Sequence, residues 1–177
     1  MAGQLPSADA VLVYDDDHYY MGGVIAQLLA DSGKAVTLVT PGPEVSCWTQ
    51  NTMEQHRIEK ALLDRGVTLI AKHTLSGVAS DSVSFACNTT DRALSIEAPG
   101  LVMVTLRAPM SSLYFSLAGE AQEQIDELPF GLWRIGDCMV PNTIAAAVYD
   151  GHRAAREMDN RPDPDSVPFK REQTLLE

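Results

Sequence analysis

The strongest constraint on this chain is a strand–helix–strand pattern confined to residues 10–39. Ala10-Val-Leu-Val-Tyr14 is a short, continuous apolar run that ends in an Asp-rich turn. A run without polar alternation reads as a strand buried on both faces. Gly22 to Ser32 follows, with Val24, Ile25, Leu28 and Leu29 at helical spacing and Gly33 placed to end the helix. Ala35-Val-Thr-Leu-Val39 is a second buried strand, stopped by Pro41-Gly-Pro43. Two parallel strands joined by a helix form a βαβ unit, so the chain is α/β, with a right-handed crossover expected.

The pattern continues downstream. Asn51 is positioned to cap a helix with Glu54 three residues on, Ile58, Ala61 and Leu62 form its inward stripe, and Gly66 follows its last turn. Val67–Ala71 predicts a third strand. Ser82–Cys87 and Ala93–Ala98 alternate, which predicts an antiparallel hairpin across Asn88–Arg92. Leu101-Val-Met-Val-Thr105 is again a continuous apolar run. After Pro109 the signal weakens: Leu113–Ile125 reads as a helix, Trp133–Ile135 as a short strand, and Thr143 to about Glu157 as a helix with the apolar face Ile144, Ala147, Val148, Gly151 and Ala155. The result is a Rossmann-like three-layer domain with a parallel sheet and an antiparallel hairpin, over residues 8–110. A connection and partial FAD/ADP-binding-like domain spans 111–158, and an extended, proline-containing tail spans 159–177.

Composition narrows the class of partner. The chain has 177 residues, with 24 Asp and Glu against 13 Lys and Arg, a net charge of −11. Dispersed negative charge repels nucleic acid and anionic lipid. No apolar run approaches the roughly 20 residues of a membrane-spanning helix, and the first residues lack the features of a signal peptide. Cys47, Cys87 and Cys138 are odd in number and far apart, which points to a reducing compartment, the cytoplasm, and away from a disulfide framework. Neither a zinc nor an iron–sulfur spacing is present, so no metal site is expected in this chain alone.

Chemistry concentrates in two stretches. In a dinucleotide fold the turn after the first strand carries G-x-G-x-x-G, which would fall at positions 17, 19 and 22. Here those residues are Asp17, Tyr19 and Gly22. The side chain of Tyr19 blocks the approach of a pyrophosphate to the backbone. Asp15, Asp16 and Asp17 place negative charge where a helix N-terminus would meet phosphate. At about 5 Å and an effective dielectric near 20, each carboxylate–phosphate pair costs roughly 3 kcal/mol, against the ~0.3–1 kcal/mol contributed by a helix terminus. The second strand ends in Thr40 rather than the acidic residue that holds an NAD ribose. The turn therefore reads as a vestigial dinucleotide site. Asp15–His18 as a hard-cation site is the weaker reading, since acidic residues near a helix start commonly act as caps. The second stretch is Arg134-Ile-Gly-Asp137 followed by a small-residue helix. This is how FAD-binding domains of the glutathione-reductase type close, with Gly136, Asp137, Asn142 and Thr143 as the candidate nucleotide-binding residues. His56 and His73 read as surface residues, Trp48 beside Cys47 as a packing or interface residue, and no catalytic triad or Cys/His elbow is recognisable. No catalytic residue is assigned.

Tyr14-Asp-Asp-Asp-His-Tyr-Tyr-Met-Gly-Gly23, Val36–Thr40, Trp48–Arg57, Arg134–Asp137 and Pro168-Phe-Lys-Arg-Glu172 resemble the C-terminal part of trimethylamine dehydrogenase-type proteins. These group with NADH:flavin oxidoreductases related to 2,4-dienoyl-CoA reductase. The resemblance implies an N-terminal barrel with FMN and a [4Fe–4S] cluster elsewhere, an FAD-like domain that holds ADP without redox chemistry, and a vestigial NAD-like domain. It also implies that the opening glycine-rich βαβ of the FAD-like domain and the barrel lie outside this sequence, supplied by a larger FMN/iron–sulfur barrel subunit or by a missing N-terminal part of the same protein. Met1 and the C-terminal tail lean towards a separate small subunit. The leading expectation is a non-catalytic subunit or domain of an FMN/iron–sulfur amine dehydrogenase or demethylase, serving assembly, with ADP or FAD shared with the partner. A free-standing NAD(P)H- or FAD-binding reductase and a purely structural interaction domain are the alternatives.

Overall fold

The computed structural model describes residues 5–118 and 130–158. It divides into two units, residues 1–106 and 107–177.

In the first unit four strands form a parallel sheet in the order β3-β2-β1-β7: β1 (Ala10–Asp15), β2 (Ala35–Val39), β3 (Thr68–Ile70) and β7 (Gly100–Val104). β1 is central, with Val13 opposite Leu38 on one side and Val102 on the other. Its side chains alternate between two cores, which explains the uninterrupted apolar run. Val11 and Val13 pack with Ala26 and Leu29 of helix α1 (Met21–Asp31) and Leu62 of helix α2 (Gln55–Leu63). Leu12 and Tyr14 turn the other way, onto Val83 and Phe85 of a three-stranded antiparallel sheet, β4 (His73–Val78), β5 (Ser82–Cys87) and β6 (Ala93–Glu97). The order of layers is helices, parallel sheet, antiparallel sheet. Fully burying side chains such as Leu12 and Phe85 contributes about 1.5–3 kcal/mol each. Tyr14 links the two sheets: its ring lies 6.0 Å from that of Phe85, and its hydroxyl oxygen accepts from the Leu75 amide at 3.3 Å.

The expected hairpin is therefore part of a three-stranded sheet. β4 escapes periodicity because its row is mostly exposed and its register shifts between Leu75 and Gly77. Gly33 (φ +82°) and Gly66 (φ +75°) end α1 and α2 in the left-handed region, as expected. The cap assignments differ from expectation. Residues Cys47–Thr52 form a 3-10 helix that takes in Asn51, and Glu54, not Asn51, is the N-cap of α2. The N-cap of α1 is Tyr20, which makes no side-chain cap bond, and the first turn holds no acidic residue, so Asp15–Asp17 do not act as caps.

In the second unit the described helices are α3 (Ser112–Ala118) and α4 (Ile144–Glu157), with a 3-10 turn at Gly136–Cys138. Leu113–Ile125 is helical only up to Ala118 among the described residues; the remainder, the tail 159–177 and Pro168–Glu172 lie outside them. No strand forms at Trp133–Ile135: Ile135 is extended (φ −135°, ψ 158°) but unpaired among the described residues, because no neighbouring strand is present there to bond to. On the apolar face expected of α4, Ala147 and Gly151 are half-buried, while Ile144, Val148 and Ala155 are exposed. Ile144 is 84% exposed and Val148 66%, and among the described residues of this unit only Ala118 is buried. No helix of the described residues is long and apolar enough to cross a membrane.

Candidate functional site

The turn from β1 into α1 is built around one carboxylate. Asp15 ends β1 at zero exposure. Its Oδ1 accepts from the amides of Asp17 (3.1 Å) and His18 (3.4 Å), closing the turn, while its Oδ2 has no hydrogen-bond partner among the described residues. A Cβ at Gly22 would lie 2.3 Å from Asp15 Cγ and 2.4 Å from Oδ2. The glycine thus makes room for this carboxylate beneath the first turn of α1. Burial drives the Asp15 carboxyl up to about 6; the Asp17 and His18 amides and the charge of His18 act in the opposite direction.

Ligands of open α/β sheets bind beyond the carboxyl ends of the parallel strands. Here the chain itself occupies that position. His18, in the left-handed region at φ +61°, sets its Nδ1 3.4 Å from Thr40 Oγ1 at the end of β2 and its Nε2 3.3 Å from Asp16. The Trp48 amide donates to the His18 carbonyl at 2.9 Å, and the Gly42 amide to Thr40 Oγ1 at 3.2 Å. A Cβ at Gly42 would stand 3.2 Å from His18 Nδ1 and 3.4 Å from Cys47 Sγ. Tyr19 packs edge-on against Tyr20, whose hydroxyl donates to Glu54 and also meets Thr52. Asp15 thus lies buried under the helix, and Asp16 turns to His18. Among the described residues no group of three or more His, Cys, Asp or Glu side chains could hold a metal ion.

The second candidate region lies in the other unit. Gly136 (φ +58°) opens the 3-10 turn, and its amide donates to Asp150 Oδ2 of α4 at 2.7 Å. Asp137, exposed, accepts the Asn142 amide on Oδ1 at 3.2 Å; Asn142 Oδ1 accepts the Thr143 amide at 2.7 Å. Thr143 is the N-cap of α4, its Oγ1 accepting from the Ala146 amide at 3.4 Å. Gly136, Asp137, Asn142 and Thr143 are thus brought together at one helix start that has no acidic residue in its first turn. The first amides of a helix have no intrahelical acceptor, so this arrangement is compatible with an anion. Beside it a cleft of about 240 Å³ is lined by Trp133, Arg134, Arg153, Glu157 and Met158, among others. Arg134 stands over the rings of Tyr114 (4.7 Å) and Phe115 (5.1 Å).

The remaining sequence candidates are dispersed. His56 is exposed on α2, Trp48 is 59% exposed in the 3-10 helix, and His73 starts β4. Sequence reasoning missed the pairing of Asp15 with Gly22. The available signal was an acidic residue seven positions before a glycine across a strand–helix turn, which alone does not distinguish a buried carboxylate from an exposed one.

No protein-family model matches the chain. It is 24% identical over 181 residues to dimethylamine dehydrogenase of Hyphomicrobium sp. (strain x), covering 92% of this chain and 24% of that protein. Its structure superposes on histamine dehydrogenase from Rhizobium sp. 4-9 with a TM-score of 0.78 and 39% identity, covering 95% of this chain and 26% of the other. Against the 6-hydroxypseudooxynicotine amine oxidase of Pseudomonas geniculata N1 the TM-score is 0.76 with 32% identity, over 89% of this chain and 23% of that one. A 2-naphthoyl-CoA reductase shares the fold alone, at a TM-score of 0.64 and 19% identity. The chain therefore spans about a quarter of the length of the relatives it matches. On these matches, it is a homologue of the trimethylamine dehydrogenase-type amine dehydrogenases over their C-terminal-like region.

Proposed function

We propose that this chain is a non-catalytic nucleotide-fold part of a flavin-dependent amine dehydrogenase or demethylase, acting in assembly rather than in chemistry. The observation that carries this reading is the unburied apolar side of the second unit. Ile144 and Val148 of α4, with Phe130, Trp133 and Val140, are all more than half exposed, in a chain that covers only about a quarter of the histamine dehydrogenase it matches. Apolar surface of this kind marks an interaction face. The expected occupant is the remainder of such an enzyme, a barrel with FMN and a [4Fe–4S] cluster, carried on a partner subunit or on further sequence of the same protein.

The two nucleotide regions then have different fates. The β1–α1 turn binds no NAD(P)H, because Asp15 and His18 fill it. The Gly136–Thr143 turn, with Asp137 and the α4 N-terminus, contributes to an ADP or FAD site completed by the partner. The setting is cytoplasmic. Calorimetric titration of the chain with NADH, NADPH, ADP and FAD tests this division. No heat is expected from NADH or NADPH; tight binding of either would overturn the reading in favour of a free-standing reductase.

A further inference from the structure

Helix α1 is apolar on both sides. From Met21 to Ala30 it contains no charged residue. Gly22, Gly23, Ala26 and Leu29 are buried on its inner side. Met21, Val24 and Leu28 lie on the opposite side, each between 42% and 48% exposed. Their spacing, i, i+3 and i+7, is that of a helix–helix seam. The other helix of this layer, α2, instead exposes His56, Arg57 and Lys60. The apolar stripe continues past the start of α1. There the Tyr20 hydroxyl meets Thr52 and donates to Glu54, which fastens the 3-10 helix Cys47–Thr52 beside α1. That segment exposes Trp48 and, just beyond its end, Met53, at 59% and 81%. Tryptophan and methionine are enriched in protein interfaces, and a contiguous exposed patch of such residues marks an interaction site.

Charge around the stripe selects what covers it. At its N-terminal end stand Asp16 and Asp17 in the preceding turn, Glu54 on Tyr20, and Glu44, which accepts from the Gln50 side chain. Arg57 acts on Glu54, and at the far end Arg65 pairs with Asp31 at 2.8 Å. Negative charge therefore predominates around an uncharged centre. A second copy of the chain, with its net charge of −11, would bring two acidic rims together, and like charges juxtaposed across an interface disfavour it. A partner with cations at its rim is attracted instead.

We propose that the outer face of α1, extended by Trp48 and Met53, is a docking surface for an amphipathic helix of a partner protein that carries aliphatic residues at heptad spacing with Lys or Arg flanking them. The partner helix lies along Met21, Val24 and Leu28 and meets Trp48 and Met53 at one end. From Met21 to Leu28 the stripe is about 10 Å long, so a partner helix of about three to four turns covers it together with Trp48. The surface lies wholly in the first unit and uses no residue of α4.

Trp48 reports the contact, because Trp133→Phe leaves it the one tryptophan of the full chain. The probe is a synthetic helical peptide of about 14 residues, with leucine at the heptad a and d positions and lysine elsewhere. Its counterpart has glutamate in place of lysine. The lysine peptide is expected to shift Trp48 emission saturably to the blue, with an affinity that falls as salt rises, and the glutamate peptide to leave it unmoved. Val24→Ser and Leu28→Ser should each weaken binding of the lysine peptide about tenfold. Val78→Ser, at an exposed apolar residue of β4 in the opposite layer, should leave binding unchanged. Circular dichroism confirms that each variant is folded. The proposal is overturned by an unshifted Trp48 with the lysine peptide, by an equal response to both peptides, or by undiminished binding in both Val24→Ser and Leu28→Ser. Sedimentation showing that the free chain dimerises, and that Leu28→Ser makes it monomeric, would also overturn it, since a second copy would then fill the face.

Discussion

Asp15 and Gly22 act as a pair, and each makes a prediction about the other. Alanine at a helical glycine ordinarily gains about 0.5–1 kcal/mol. At Gly22 the added Cβ meets Asp15 Cγ at 2.3 Å, and overpacking of this kind costs about 1–3 kcal/mol. Gly22→Ala should therefore lower stability in urea unfolding, and Asp15→Gly should remove most of that loss in the double variant. An equal loss in both backgrounds would place the clash elsewhere. Asp15 also governs a pH dependence. Its folded value of about 6 lies above the unfolded value of 3.8. Its contribution is thus fully present below about pH 4 and is lost as pH rises through 6. Asp15→Asn keeps an acceptor for the two turn amides without the charge. It should match the native chain near pH 4 and exceed it above pH 6 by up to about 3 kcal/mol. A gap independent of pH would show that Asp15 ionises freely. None of this could be read from three consecutive aspartates: the sequence places their charge at the turn, but burial of one of them depends on a glycine across the turn.

At the scale of elements, what the sequence revealed depended on whether an element's partners lie within the chain. β1, α1, β2 and β7 carry continuous or helical apolar patterns because both faces of the parallel sheet are covered here, by α1 and α2 and by β4–β6. β4 was hidden by its exposure and its shifted register. The strand expected at Trp133–Ile135 misled for the opposite reason, and the apolar face of α4 is largely exposed. Their apolar residues are real, but nothing in the described residues covers them. The Gly136–Thr143 turn was legible because a local motif, glycine at positive φ followed by an N-capped helix, forms without distant contacts. Two outcomes follow for the chain by itself. Its α4 amides should exchange with deuterium much faster than those of α1, which buries Gly22, Gly23, Ala26 and Leu29. Ile144→Ser and Val148→Ser should each change its stability by no more than about 0.5 kcal/mol, since both side chains are already exposed. A larger loss on urea unfolding would mean that α4 is packed within the chain.

For the whole molecule, the same two side chains carry the account of function. If the α4 face docks on the rest of an amine dehydrogenase, the substitutions that leave the isolated chain unchanged should weaken its retention in the assembly. The first unit has its own two-sided core; the second has one buried residue among those described and a cleft of about 240 Å³ lined in part by Asp150, Arg153, Ala154 and Glu157 of α4. The most direct measurement is the mass and cofactor content of the native particle that carries this sequence, isolated from unperturbed cells. A particle far heavier than 19.2 kDa that contains FMN and iron–sulfur is expected, whether the chain is a subunit or part of a longer polypeptide. A 19.2 kDa monomer free of flavin and iron would contradict this expectation.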